Sequence, residues 1–412
     1  MSPWPPKSWD LQTLSLAALY FNLTLDVTRA RLATAEGAIV TASARPNPTL
    51  DFAPGIPSPY LLSLDFLLPI ETAGKRGHRV QIAQDLNRAA EFDLADSAWT
   101  VVMGVRLALL NYLVASRNLE LLRSQEKARE DQVRILERQL SVGGITRVDV
   151  DVTKIQLLKT EVAIRAAEGQ VADSKAALAA TIGIPVAGLD GADLSWPDMG
   201  IPPNSESLSP VKIQGDAVLN RLDVRRSLAQ YAAADADLKL EIARQYPNFN
   251  LGPGYTYEER NNFFTIGLST TLPVFNRNQG PIAEAEGRRK EAAAAFLKTQ
   301  AQVIEKSERA LAVYAAALKE ISEAQSLYQI QETQLQVIQQ AIRAGADYRF
   351  SLDGAQIQLS VLASAKLDAL AHAQRALGDL EDAVQRPLAP GEVFPINANS
   401  PALNKNPQRP EK

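Results

Sequence analysis

Few side chains in this chain could do covalent chemistry, and their spacing argues against it. There is no cysteine, which excludes disulfides, thiolate metal sites and a cysteine nucleophile. His78 and His372 are the two histidines, far apart and without the spacing of metal ligands. Gly74-Lys75-Arg76-Gly77 lacks the GxxxxGK[ST] pattern of a phosphate loop, and a Lys-Arg pair just after a strand reads as a membrane-edge feature. No Ser/His/Asp set, paired-carboxylate cleft or nucleotide fingerprint occurs, so neither an enzyme nor a cofactor is expected. What remains is a pair of glycine breaks, each followed by acids. Val142-Gly143-Gly144-Ile145 precedes Asp149 and Asp151, and Ala344-Gly345-Ala346 precedes Asp347, Tyr348, Arg349 and Asp353. Glycine ends helices in left-handed geometry, and acids in a first helical turn complement the dipole, which would account for Asp149, Asp151 and Asp353.

The elements that carry these breaks occur twice. Asn47 to Gly55 (NPTLDFAPG) matches Tyr246 to Gly254 (YPNFNLGPG), with Pro48 and Pro247 offset by 199. Leu62 to Ile70 matches Ile266 to Val274, with Pro69 and Pro273 offset by 204, and Gly143, Asp151, Gln156 and Leu157 match Gly345, Asp353, Gln358 and Leu359 at offset 202. Three landmarks in one order indicate a duplication of about 200 residues, far longer than a solenoid repeat. The first copy covers 1–209, with strands near 48–68, a helical hairpin with its tip at 141–147, and a proline-rich segment at 184–209. The second covers 210–386, with strands near 247–273 and a tip at 343–349, and a proline-rich tail follows at 387–412.

Helices dominate the pattern, at Trp9 to about Ala44, Thr72 to Leu140, Val148 to Ile182, Pro210 to Arg244, Ile282 to Ile342 and Phe350 to Val384. The second of these, at about 69 residues and ~1.5 Å per residue, would reach on the order of 100 Å. Such rods must cover their apolar positions side by side. Val133, Leu136 and Leu140 keep spacings of three and four, as do Leu335, Ile338 and Ile342, and Leu370, Leu377 and Val384 recur every seven after Ala363. Ala166, Ala167, Ala176 and Ala177 allow close approach of neighbouring helices.

Between the helices lie four alternating segments. Leu50 and Phe52 oppose Thr49 and Asp51, while Tyr60, Leu62, Leu64 and Phe66 oppose Leu61, Ser63 and Asp65. Phe249, Leu251, Tyr255 and Tyr257 alternate with Asn250, Gly252, Gly254 and Thr256, and Phe264, Ile266 and Leu268 with Thr265, Gly267 and Ser269. Period-two patterning predicts strands. An apolar face against Ser, Thr, Gly and Asn fits a membrane barrel, and equally a soluble sheet packed on helices. The helix lengths favour the barrel, because a soluble sheet gives no use to rods that long. Four strands cannot close a barrel alone, so several protomers must share one.

With 43 basic against 47 acidic residues and no basic block, nucleic acid is not an expected partner. The opening MSPWPPKSWD lacks a basic start followed by an apolar core. No apolar run approaches the ~20 residues of a spanning helix.

Taken in order, the pieces resemble the TolC family of outer membrane factors, over nearly the whole chain. The carriers are Pro46-Asn47-Pro48, Leu68-Pro69-Ile70, Leu272-Pro273-Val274, the hairpin motifs after Gly143 and Gly345, and Asn220-Arg221-Leu222-Asp223-Val224. The octet Pro69 to Arg76 looks most like the CzcC-type branch for heavy-metal efflux, although Pro273 to Gly280 lacks its Gly-Lys-Arg. The resemblance implies a mainly α fold with a small β part, in which a homotrimer shares a twelve-stranded barrel in outer membrane lipid and a coiled-coil helical tunnel in the periplasm. It implies a passive duct of a tripartite pump, whose tips (Val142, Gly143, Gly144, Ile145, Ala344, Gly345, Ala346) meet a periplasmic adaptor beneath an inner-membrane RND pump. It further implies a periplasmic gate from Asp149, Asp151, Asp347, Tyr348, Arg349 and Asp353, with Asp353 repeated three-fold as an acidic ring. Divalent heavy-metal ions are the expected cargo. Drugs or other small molecules are the alternative, and a soluble coiled-coil scaffold is a rival reading. The family is exported, so an export signal is expected to be missing from this sequence.

Overall fold

The computed structural model describes residues 8–56, 61–204, 208–345 and 349–388. In chain order the elements are β1 (Ser8–Trp9), α1 (Leu11–Phe21), α2 (Leu23–Ser43), β2 (Thr49–Gly55), β3 (Leu61–Ile70), α3 (Lys75–Ser141), α4 (Arg147–Ile182), β4 (Asp193–Leu194), α5 (Pro210–Asn220), α6 (Leu222–Ala243), β5 (Phe249–Glu258), β6 (Asn261–Thr270), α7 (Gln279–Arg343) and α8 (Arg349–Val384). The order α-α-β-β-α-α therefore occurs twice, with long helices of 67 and 65 residues followed by helices of 36 residues each. The chain is mainly helical. Tyr60 of the expected second strand lies outside the described residues, as does nearly all of the tail.

The chain forms two compact units. The first comprises Met1–Leu25, Ser97–Arg221 and Val303–Lys412. Its core packs α1 on α4 and α5 on α8, around fully buried Leu14, Leu178, Ile182, Leu377 and Leu380. The alanines of α8 (Ala369, Ala371, Ala373, Ala376 and Ala383) are buried and keep the helix slim. One stretch of α3 is long and apolar enough to cross a membrane, a correction to the expectation of no such run. Half of it is buried, and Val102, Val105, Leu109 and Leu110 of α3 belong to the core, so it serves as a core helix.

Two expected helices are broken in this unit. Asn22 and Arg221 leave helical geometry with ψ of 118° and 127°, which splits α1 from α2 and α5 from α6. Neither break has a proline or glycine. In their place, Asn22 Nδ2 donates to the carbonyl of Thr181 at 2.8 Å, and Arg221 Nη1 donates to those of Asp382 and Ala383 at 3.1 and 3.3 Å. Each break thus satisfies the orphan carbonyls at the end of the 36-residue helix in its own half. The proline-rich 184–204 stretch folds onto the same unit, with β4 paired in parallel to β1.

The second unit comprises Asp26–Asp96 and Leu222–Gln302 and holds the antiparallel sheet β2-β3-β5-β6. Register builds its faces row by row. Leu50 pairs with Phe66 and Pro253 with Ile266; Phe52 pairs with Leu64, then Tyr255 and Phe264. Leu68, Leu251 and Leu268 form a third row. The opposite face carries Asp51, Asp65, Gly254 and Thr265 in one row, and Asn250 with Ser269 in another. Glycine is required at position 252, where a Cβ would overlap the Phe66 carbonyl. The apolar face is uncovered: Phe264 is 83% and Ile266 86% exposed. The strand alternation expected from the sequence is therefore a two-faced sheet.

Candidate functional site

The two hairpin tips lie in the first unit, and local chemistry shapes each of them. At the first, the Gly143 amide donates to Leu140 O at 3.0 Å and the Gly144 amide to Gln139 O at 2.9 Å, with Gly143 at φ 74°. This is a Schellman ending, in which only glycine adopts the left-handed position without strain. A Cβ at Gly143 would meet nothing within 4 Å, so backbone geometry alone explains the glycine. The turn passes directly into the next helix. Thr146 caps α4, and a capping box joins it to Asp149, whose carboxylate accepts from the Thr146 amide at 2.9 Å and hydroxyl at 2.6 Å. The Thr146 side chain, then its amide, hold the Asp149 carboxyl below its ordinary range. Asp151 is exposed and lies 3.9 Å from Arg147.

At the second tip α7 ends with Gly345 at φ 98° and its amide on Ile342 O at 3.0 Å. Ala346, Asp347 and Tyr348 fall outside the described residues. Val142, Gly143, Gly144, Ala344 and Gly345 are exposed and Ile145 is half-buried. The first tip thus offers a small-residue surface with one exposed apolar side chain, Val142 at 77%.

Behind the tips a cavity of about 360 Å³ is lined by Asp131, Arg134, Ile135 and Arg138 of α3, Ile342 of α7, and Arg349, Leu352 and Asp353 of α8. Structure thus brings Arg349 and Asp353 to one wall and leaves Asp149 and Asp151 away from that lining. Asp353 is buried, and its Oδ2 has no hydrogen-bond partner among the described residues. Burial, then repulsion from Asp131, pushes its carboxyl up to about 6, against a smaller pull from Arg134. Arg134 itself pairs with Asp131. Sequence reasoning missed Asp131, Arg134 and Arg138, because acid and base three apart on a long helix look like an ordinary solvated face.

Among the described residues, no group of three or more His, Cys, Asp or Glu could hold a metal ion. His372 Nδ1 instead lies 2.7 Å from Glu320 Oε2.

Residues 14–184 and 214–384 each match the family described as Outer membrane efflux protein. Over 357 residues the chain is 26% identical to the pyoverdine export outer membrane protein OpmQ of Pseudomonas aeruginosa, a match covering 83% of this chain and 69% of that protein. Over 280 residues it is 25% identical to the cobalt-zinc-cadmium resistance protein CzcC of Cupriavidus metallidurans, covering 66% of this chain and 64% of that one. In fold it is similar to the outer membrane protein VceC from Vibrio cholerae, with a TM-score of 0.73 at 21% identity, covering 92% of this chain and 97% of VceC.

Proposed function

Because the chain belongs to the outer membrane efflux protein family, whose members are outer-membrane channels with a periplasmic helical tunnel, we propose that it is the exit duct of a tripartite RND-type pump. Three copies close a twelve-stranded barrel from their four-stranded sheets. The duct is passive, and the tips dock a periplasmic adaptor. The observation that carries this reading is the sheet, with three in-register apolar rows open to the surroundings on one face and polar residues on the other. Among the described residues nothing pairs with the outer edges of β2 and β6, which further copies can therefore take. The helices support it too. Ile155, Leu158 and Val162 of α4, and Leu327 and Ile330 of α7, remain exposed at helical spacing and call for neighbours.

For cargo, the octet Pro69 to Arg76 and the match to CzcC support divalent heavy-metal ions. The longer match to OpmQ supports a second reading, export of a small organic molecule. Selectivity in such an assembly resides mainly in the pump, so metal and organic loads are compared with the same duct and exchanged pumps.

Asp353 acts in this scheme as the gating acid. Its proton is held more tightly in the folded protein than in the unfolded chain, where the ordinary value is 3.8. Stability at the tip therefore falls as pH rises from about 4 to 6 and stays lower above that window. The ionised carboxylate, facing Asp131, loosens the contact between α8 and α3, which favours opening. Planar-bilayer conductance of the detergent-purified oligomer tests this. Wild-type open probability is expected to rise roughly threefold between pH 5 and pH 8, a discounted share of the roughly tenfold that the last pH unit of that window makes available at ~1.4 kcal/mol. Asp353→Asn is expected to stay mostly shut across that range. A wild type with no pH response removes Asp353 from the gate and keeps the duct. A protein that dissolves without detergent and never inserts sinks the duct itself and promotes the soluble scaffold.

A further inference from the structure

We propose that the cleft where β3 runs into α3 binds the phosphate of a glycerophospholipid, tying the helical end of the barrel to its own leaflet. The proposal rests on the outer-membrane reading above. Arg45, Pro46, Leu68, Pro69, Ile70 and Arg76 line this cleft, whose volume is about 330 Å³. Leu68 and Ile70 continue the apolar face of the sheet and are 43% and 42% exposed. Arg76 Nε donates to the Ser43 carbonyl at 2.7 Å, which fixes the guanidinium. Among the described residues its two terminal nitrogens make no hydrogen bond or salt bridge, and neither does the Arg45 side chain.

The other charges at this junction are already engaged. Glu71, which also lines the cleft, is gripped by both terminal nitrogens of Arg79. Lys75 is buried, and its ammonium donates to the Tyr246 carbonyl and to Asn248 Oδ1, each at 2.5 Å. Two guanidinium forks therefore stand directly beside a lipid-facing apolar strip, Arg76 attracted by the Glu71 carboxylate that Arg79 already holds. Arginine forks match phosphate oxygens in pairs, and a basic site at a membrane edge recruits anionic headgroups. Free phosphate would use the forks alone, whereas a lipid uses the forks and lays its acyl chains along Leu68 and Ile70. The Gly-Lys-Arg motif thus divides its labour: Lys75 is structural and Arg76 faces the ligand.

The test is thermal unfolding of the full-length protein in mild detergent, titrated with dioleoylphosphatidylglycerol, with dioleoylglycerol, and with inorganic phosphate. Stabilisation is expected from the phospholipid at low mole fraction, and far less from either control. In the Arg45→Gln/Arg76→Gln double variant, half-saturation is expected to weaken roughly thirtyfold, from about fivefold per surface charge. Arg45→Lys/Arg76→Lys keeps the charge without the forks and falls between. Equal stabilisation by dioleoylglycerol, equal affinity for inorganic phosphate, or unchanged half-saturation in the double variant would overturn the proposal. Should the glutamine variant not fold, the lysine variant and the three wild-type titrations decide it. Insertion into neutral vesicles is measured alongside. Insertion without headgroup preference removes this site only, whereas no insertion removes the outer-membrane reading and the site together.

Discussion

Ile266→Arg is expected to stop the chain from inserting into a bilayer, while Thr265→Arg, one residue away, leaves insertion intact. Ile266 lies in the middle of β6, opposite Pro253, in the row that also holds Leu50 and Phe66. It is 86% exposed, so a soluble sheet would accept arginine there with little change in stability. In a bilayer the same position faces acyl chains near mid-depth, where arginine costs about 2–4 kcal/mol. The proposed barrel repeats that cost three times. Thr265 points to the other face, across Gly254 from the Asp65 carboxylate, where an arginine is hydrated and finds an acid. The measurement is urea-driven refolding into lipid vesicles, read by protease protection and by electrophoretic mobility of the folded form. A loss at 266 with retention at 265 assigns the apolar rows to lipid. Equal behaviour of the two variants would remove that assignment and leave a sheet that packs on protein.

The contrast between adjacent residues works because strand patterning has a period of two, and for that reason the sheet is legible in the sequence. Leu50, Phe52, Phe264 and Ile266 alternate with polar neighbours in the sequence, and the register lines them up across strands. The tips were legible for a related reason. Gly143 and Gly345 interrupt otherwise unbroken helical stretches, and each takes the positive φ that such a position requires. The helix breaks at Asn22 and Arg221 were not legible. Local propensity there permits a continuous helix, and the break comes from carbonyls some 160 residues away in sequence, at Thr181 and Asp382.

Charged residues were the harder case throughout. Asp353 could be placed near a tip, but its burial against Asp131 depends on how α8 packs on α3, which periodicity does not encode. Lys75 and Arg76 are neighbours of like charge, yet one is buried on the Tyr246 carbonyl and Asn248 Oδ1 and the other is exposed. A lone base in an apolar stretch of one helix and an acid on another show no spacing that links them, so a buried ion pair between helices is invisible until their packing is known.

Arg106 and Glu381 are such a pair, and breaking it is expected to be the most damaging single change in the first unit. Their side chains are 3% and 0% exposed, with Arg106 Nη1 3.1 Å from Glu381 Oε2. Arg106 also donates to Gln374 Oε1 at 3.1 Å and lies 4.8 Å from the Trp196 ring centre. Around the pair, the proline-rich segment is clamped down: Gln374 Nε2 donates to Met199 O at 2.6 Å, and the Tyr314 hydroxyl donates to Pro203 O. Burial, with Glu381 adding to it, raises the Tyr314 phenol well above its ordinary range, so it serves as a permanent donor. Arg106→Met or Glu381→Leu alone leaves one buried charge without its counter-ion, at a cost of about 3–5 kcal/mol. The double variant replaces both by apolar groups and is expected to recover most of that loss, because two desolvation penalties disappear together. Unfolding followed by tryptophan fluorescence suits the question, since Trp196 touches Arg106 and Trp99 Nε1 donates to Asp382 at 3.0 Å beside the pair. Single-variant losses below about 1 kcal/mol would mean that water reaches the pair. A double variant as unstable as the singles would mean that the ion pair, rather than the apolar packing around it, holds the 184–204 segment in place.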